Sequence, residues 1–162
     1  MGMPDNNASI ERLICALLDD YADCLDSDEL EKWPELFLES GKYFIQSREN
    51  IEAGKDGGYW MYYTSQGMMR DRVTSLRHIN TYNKHYYRHV ISNIKISERD
   101  NDSFHVRSNF LVVQTNFEGK FECLNAGEYR DVILVQDGKP RFQEKLVIAD
   151  TFHAPSAIVY PL

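Results

Sequence analysis

The stretch KFECLNAGEYRDVILVQDGKPRFQEKLVIADTFH, residues 120–153, decides the fold. Its centre is Asp137-Gly138, a dipeptide that favours positive φ at both positions and so predicts a type I′ hairpin turn. Apolar and polar residues alternate on either side, the two-residue period of half-buried strands. Upstream, SFHVRSNFLVVQTNF (103–117) and YYRHVISNIKISER (86–99) alternate in the same way, separated by a polar DND turn, and Glu118-Gly119 supplies the next reversal. Each of these runs exceeds the usual ~5–6 residues of a strand, which predicts strong curvature and a bulge, placed near Gly127. The C-terminal half therefore reads as a curved antiparallel meander.

The N-terminal half has the other period. In residues 8–26, Ile10, Leu13, Ile14, Leu17, Leu18, Tyr21 and Leu25 form a 3.6-residue stripe, predicting an amphipathic helix. Asp26 with Glu29 reads as a capping box opening a second helix, ELEKWPELF, short or kinked because of Pro34. KYFIQS (42–47) and YWMYYT (59–64) read as strands around a polar, Gly-rich connection. Ser65 is a candidate cap for a third helix whose Met69, Val73 and Leu76 share a face. Helices followed by long strands imply an α+β roll: N-terminal helices packed on a sheet bent into a cone, in one domain spanning residues 1–162 with a flexible start at 1–7.

A 43% apolar share with 27% charged residues is ordinary for a globular chain, and the 12% aromatic share favours a sheet with aromatic-lined surfaces or cavities. The net charge of −7, with no basic run, argues against nucleic acid as a partner. No apolar run approaches the ~20 residues of a membrane span, and no charged-then-apolar leader opens the chain, so a cytoplasmic protein with no membrane partner is expected. Met1-Gly2 is not followed by a hydroxyl residue at Asn6, as myristoylation wants. Cys15, Cys24 and Cys123 are odd in number and form no C-x-x-C, and read as small buried hydrophobes.

The chemistry-bearing candidates are few. HYYRHVISNI (85–94) holds two histidines four apart, a metal-ligand spacing on a helix. On a strand the same spacing is ~13 Å, too far to share an ion, and no third ligand or Rieske-type C-x-H…C-x-x-H pair accompanies it. No nucleophile elbow or phosphate-binding glycine loop occurs. Acid–base work inside a cone would fall to Asp23, Asp26, Asp71, His89 and Tyr43, all of which have ordinary structural roles open to them. GMMRDRVTSLR brings Arg70, Arg72 and Arg77 close to Asp71, with Arg88 following; this is either a solvated helix face or a set of interfacial arginines suited to a subunit joint.

Taken together, YADCLDSDELEKWPELF, GMMRDRVTSLR, RHVISNI and GEYRDVILVQDGKPRFQEKLVIAD resemble the small (beta) subunit of bacterial aromatic-ring-hydroxylating oxygenases, in order and spacing over nearly the whole chain. REN and RHVISN resemble most the branch acting on carboxylated rings such as salicylate, anthranilate or terephthalate. The resemblance implies a nuclear-transport-factor-2-like cone that trimerises and supports three large alpha subunits in an α3β3 oxygenase. It implies no cofactor or metal in this chain, the Rieske [2Fe-2S] cluster and mononuclear iron belonging to the alpha subunit. It makes Arg88 and His89 the counterparts of the family's Arg-His pair, and Asp71, Arg72 and Arg77 further structural or interface residues, with no catalytic residue here. A rival reading comes from dehydratases and isomerases of the same fold, which use the cone as an active site; Asp26, Asp71, His89 and Tyr43 would then serve, although Leu25-Asp26 stands where the dehydratase has Tyr-Asp. A third reading is a stand-alone ligand-binding module.

Overall fold

A computed structural model describes residues 6–54, 57–78, 85–100, 102–151 and 160–162. The elements are helix α1 (Asn6–Asp26), a 3-10 turn (Pro34–Leu36), strand β1 (Phe37–Ser47), helix α2 (Arg48–Glu52), β2 (Met61–Tyr63), α3 (Gln66–His78), β3 (His85–Asp100), β4 (Ser103–Asn116), β5 (Phe121–Gln136) and β6 (Lys139–Ala149). One six-stranded sheet runs in the order β2-β1-β6-β5-β4-β3. The four long strands form the expected antiparallel meander, but β1 lies parallel to β6, so the sheet is mixed rather than purely antiparallel.

Asp137 and Gly138 take φ of 51° and 72° between the paired residues Gln136 and Lys139, as the hairpin dipeptide predicts. Curvature comes from register shifts. β3 carries an extra residue near Asn93, which has a φ of 53°; β5 carries one at Leu124, opposite Val112 and Val113; and β6 carries one near Gln143. The bulge expected near Gly127 thus sits three residues earlier. Gly127 serves another purpose: a Cβ there would lie 1.9 Å from the Ile148 carbonyl oxygen, so β5 and β6 approach closely only because it is glycine.

Helix α1 lies in the concave face, burying Ile14, Leu17, Leu18, Tyr21, Cys24 and Leu25 against the sheet. Each of the leucine and isoleucine side chains contributes about 1.5–3 kcal/mol. The second helix expected from Asp26 and Glu29 does not form. Asp28 takes a φ of 59° just past α1, the Glu29 N–H returns to the Cys24 carbonyl at 2.8 Å, and the chain passes through turns into the 3-10 turn at Pro34. The Asp26 carboxylate that would cap it is engaged elsewhere. Ser65 does cap α3, its hydroxyl accepting from Met68 N–H at 3.3 Å, and Met69, Val73 and Leu76 are buried. Helix α2 arises in the connection read as loop, capped by Ser47. The flexible start expected at 1–7 falls largely outside the described residues, and α1 already begins at Asn6. Cys24 is buried as expected, Cys15 partly so, and Cys123 is exposed. No helix among the described residues is long and apolar enough to cross a membrane.

Candidate functional site: the mouth and interior of the cone

Of the five acid–base candidates, the fold brings two together. Asp26, the last residue of α1, meets His89 on β3: imidazole Nδ1 lies 2.6 Å from Asp26 Oδ1, and the His89 main-chain N–H donates to both carboxylate oxygens at 3.1 and 3.0 Å. β3 is an edge strand, so this N–H has no ladder partner and the carboxylate satisfies it. The imidazole is wholly buried, its Nε2 without a hydrogen bond among the described residues, with Tyr21 and Tyr87 edge-on to the ring. Asp23 and Asp71 are exposed; Asp23 borders an open cleft with Asp26 on α1, and Asp71 lies on α3. His85 and His89 share a strand, and among the described residues no three His, Cys, Asp or Glu side chains converge to hold a metal ion.

Tyr43 belongs to a different arrangement. Residues 160–162 return into the cone, where Tyr21 donates to the Leu162 main-chain oxygen at 2.6 Å and Tyr43 donates to the same atom at 3.2 Å. The Leu162 N–H in turn donates to Tyr43 Oη at 2.9 Å. Leu162 is buried, so the chain's own residues occupy the space in which a ligand would sit. Burial pushes the Tyr21 and Tyr43 hydroxyls well above the usual phenol range, so both stay protonated donors.

Deeper in, Lys145 Nζ lies 3.0 Å from the Asp131 carboxylate, with both side chains fully buried. The ammonium sits over the rings of Tyr129, Tyr21 and Phe142, at 3.7, 4.4 and 4.8 Å from their centroids. Aromatic faces and one carboxylate replace its water. Burial pushes the Asp131 carboxyl up to about 6 against the pull of Lys145, and burial lowers Lys145 against the pull of Asp131. Neither residue is a sequence-based candidate. Asp131 sits at an inward position of β5, two residues from Tyr129, and that parity was a readable signal; the bulge in β6 hides the matching parity of Lys145.

A cleft of about 560 Å³ is lined by Asp26, Asp28, His85, Tyr86, Arg88 and Tyr160 among others. The arginines divide. Arg77 forks onto Glu31 at 2.7 and 2.9 Å and reaches the Asp28 carboxylate at 2.9 Å, clamping α3 to the turn after α1. Arg70 pairs with Glu35 at 2.8 Å. Arg72 is half-buried near Tyr63, and Asp71 points to solvent. Arg88 is 72% exposed on the outer face of β3, only 4.0 Å from Asp26. It is flanked by the exposed Tyr86 and Val90, with Leu111 opposite Val90 and Phe121 two strands away from Tyr86.

Comparison with known proteins gives a consistent picture. Residues 21–154 match the family described as ring hydroxylating beta subunit. The chain is 38% identical to the anthranilate 1,2-dioxygenase small subunit of Burkholderia cepacia over 142 residues, covering 88% of each protein. It is 32% identical to the terephthalate 1,2-dioxygenase terminal oxygenase component subunit beta 2 of a Comamonas species, covering 88% of this chain and 92% of that one. A crystal structure assigned as the beta subunit of an aromatic-ring-hydroxylating dioxygenase from Novosphingobium aromaticivorans superposes with a TM-score of 0.86 at 31% identity, over 96% of this chain and 97% of that one.

Proposed function

The chain belongs to the ring hydroxylating beta subunit family and is the small subunit of a multicomponent aromatic-ring-hydroxylating oxygenase, and from this premise we propose that its role is structural rather than catalytic. In this reading it is a cytoplasmic beta subunit that assembles as a homotrimer with three large alpha subunits, α3β3, and serves the catabolism of an aromatic carboxylate. The Rieske [2Fe-2S] cluster and the mononuclear iron reside in the large partner. The carboxylate substrate class is supported by relatives named for anthranilate and terephthalate.

The observation that carries the structural role is how the described residues fill the cone. Leu162 is latched between Tyr21 and Tyr43, an aromatic-caged ion pair fills the space beyond, and His89 is held against Asp26 with no solvent-facing side-chain atom. A general base must reach the proton it removes, and an imidazole wholly covered by Tyr21, Tyr87 and Asp26 cannot. Arg88, set among Tyr86, Val90 and Leu111, gives the outer sheet face the composition of a docking surface for the large subunit: apolar and aromatic, with a central arginine.

The dehydratase or isomerase reading has one observation in its favour, the Asp26–His89 pair beside the 560 Å³ cleft. Co-expression of the chain with its large subunit separates the two. The structural role predicts ring hydroxylation only by the two-subunit complex, with all the iron in the large subunit and the isolated chain iron-free. Stoichiometric iron in the isolated chain would overturn it, as would a large subunit that assembles and turns over equally well alone.

A further inference from the structure

The outer sheet face carries a feature that sequence order conceals. Lys95 on β3 pairs in register with Arg107 on β4, and Arg107 pairs with Arg130 on β5, so three cations stand side by side across three adjacent strands. All three are exposed. Strands are ~4.8 Å apart, so the row spans about 10 Å. Like charges directly opposite each other across strands are destabilising. One anion relieves them: Glu128, 2.6 Å from Arg130 and 3.9 Å from Arg107, while Lys95 has no ion pair among the described residues. The row borders a cleft of about 310 Å³ whose other walls include Ile96, His105 and Val106. Asp131 also borders that cleft, but its carboxylate is committed inward to Lys145.

In a chain of net charge −7, a surviving row of like charges points to an anionic partner surface. The opposite layer of the same molecule offers one. On α1, Asp19, Asp20 and Asp23 are exposed, border one open cleft with Asp26, and form no ion pair among the described residues. Asp19 and Asp23, one helical turn apart, have Cβ atoms ~5–6 Å from each other, close to the spacing of the cationic row. Three cations are too few for a nucleic-acid footprint.

We propose that the Lys95–Arg107–Arg130 row docks the Asp19–Asp20–Asp23 face of helix α1 from a second copy of the chain. This rests on the reading of the chain as a self-assembling subunit and names the surfaces that meet. The acidic face lies on the helix layer and the cationic row on the outside of the sheet, so the contact is head-to-tail. A head-to-tail contact whose rotation about one axis closes gives a ring, the geometry a cyclic trimer requires. The apolar end of the sheet around Arg88 stays free for the large subunit.

Charge exchange tests this on the full-length chain by native mass spectrometry, with melting temperature as the check on folding. Arg107→Glu with Arg130→Glu should abolish the oligomer, as should Asp19→Lys with Asp20→Lys and Asp23→Lys. The five changes combined in one chain should restore it, because the signs are exchanged at every position of the contact but Lys95. A milder pair, Arg107→Gln with Arg130→Gln, should weaken the oligomer while keeping or raising the melting temperature, since the like-charge row is relieved. An oligomer indifferent to both reversals, a folded five-change chain that stays monomeric, or a monomeric wild type would each overturn the proposal. Co-purification of the large subunit with the wild type, measured in parallel, isolates the two ideas: the large subunit retained while both reversals leave the oligomer intact sinks only this surface assignment, whereas a wild type that binds no large subunit sinks the functional reading itself.

Discussion

Lys145 and Asp131 form an ion pair with no contact with solvent, its ammonium facing three aromatic rings. Removing one member strands the other in the core. Lys145→Met alone should cost about 3–5 kcal/mol, and the combined Lys145→Met, Asp131→Leu change much less, because the cost is that of the uncompensated charge. Chemical denaturation of the three proteins measures the difference.

The same pair predicts an unusual pH dependence. Asp131 titrates near 6 when folded and near ~3.9 when unfolded, so between these values the folded state binds more protons. Stability from this group is fully present below about pH 4 and is lost as pH rises through about 6, the reverse of a salt-bridged surface carboxylate. Relative to the double variant, the wild type should lose on the order of 2–3 kcal/mol across that window. A difference that stays flat from pH 4 to 7 would remove Asp131 as a titrating group.

Gly127 and Gly138 separate two reasons for glycine. At Gly138 the φ of 72° is the constraint, with open space around it, and Gly138→Val should cost about 1–2 kcal/mol. At Gly127 space is the constraint, and even Gly127→Ala should cost more than that, since the new Cβ meets main chain that cannot rotate away. Melting temperatures of the two variants rank them.

These glycines also mark what was legible. The α1 stripe, the meander and the hairpin all rest on local periodicity and turn chemistry, which a sequence carries openly. The strand β1 pairs in parallel with a partner a hundred residues away, and nothing local specifies that. Asp26 reads as a cap on spacing alone, yet its carboxylate is taken by an edge-strand N–H and imidazole from residue 89. The bulges matter most: each shifts inward and outward parity, so Lys145 looks misplaced until the register is known, and the Lys95–Arg107–Arg130 row exists only through strand pairing.

The Asp26–His89 junction predicts a stability effect without a metal effect. His89→Ala removes one partner from a buried hydrogen bond and should cost about 1–3 kcal/mol. Its main-chain N–H still reaches Asp26, so the fold survives. Metal analysis of wild type and variant should find no stoichiometric iron or zinc in either; loss of a bound ion on substitution would reassign His89 as a ligand.

Arg77 and Arg88 belong to one expected interface set, and their surroundings now set them apart. Arg77 is spent inside the chain, its guanidinium held by Glu31, by the Asp28 side chain and by the Asp28 carbonyl, which tie α3 to the turn after α1. Tyr160 adds to this knot by donating to Asp28 Oδ1 at 2.6 Å. The carboxylates are more than half exposed, so each pair is worth under about 1 kcal/mol, but several act on one group. Arg77→Glu should therefore lower the melting temperature. Arg88 donates to the carbonyl of its own neighbour Tyr87 at 3.1 Å, approaches Asp26 at 4.0 Å and is mostly exposed among Tyr86, Val90 and Leu111. Arg88→Glu should leave the melting temperature of the isolated chain within a degree or two, since exposed substitutions away from such networks shift stability by roughly 0.5 kcal/mol or less. It should instead weaken association with the large subunit, where a central arginine ringed by apolar side chains is the kind of residue that dominates binding. Pull-down of the large subunit with each variant decides: normal capture by Arg88→Glu would clear this face of the assignment, and equal loss by both would mean that Arg77 acts through the fold on the same surface.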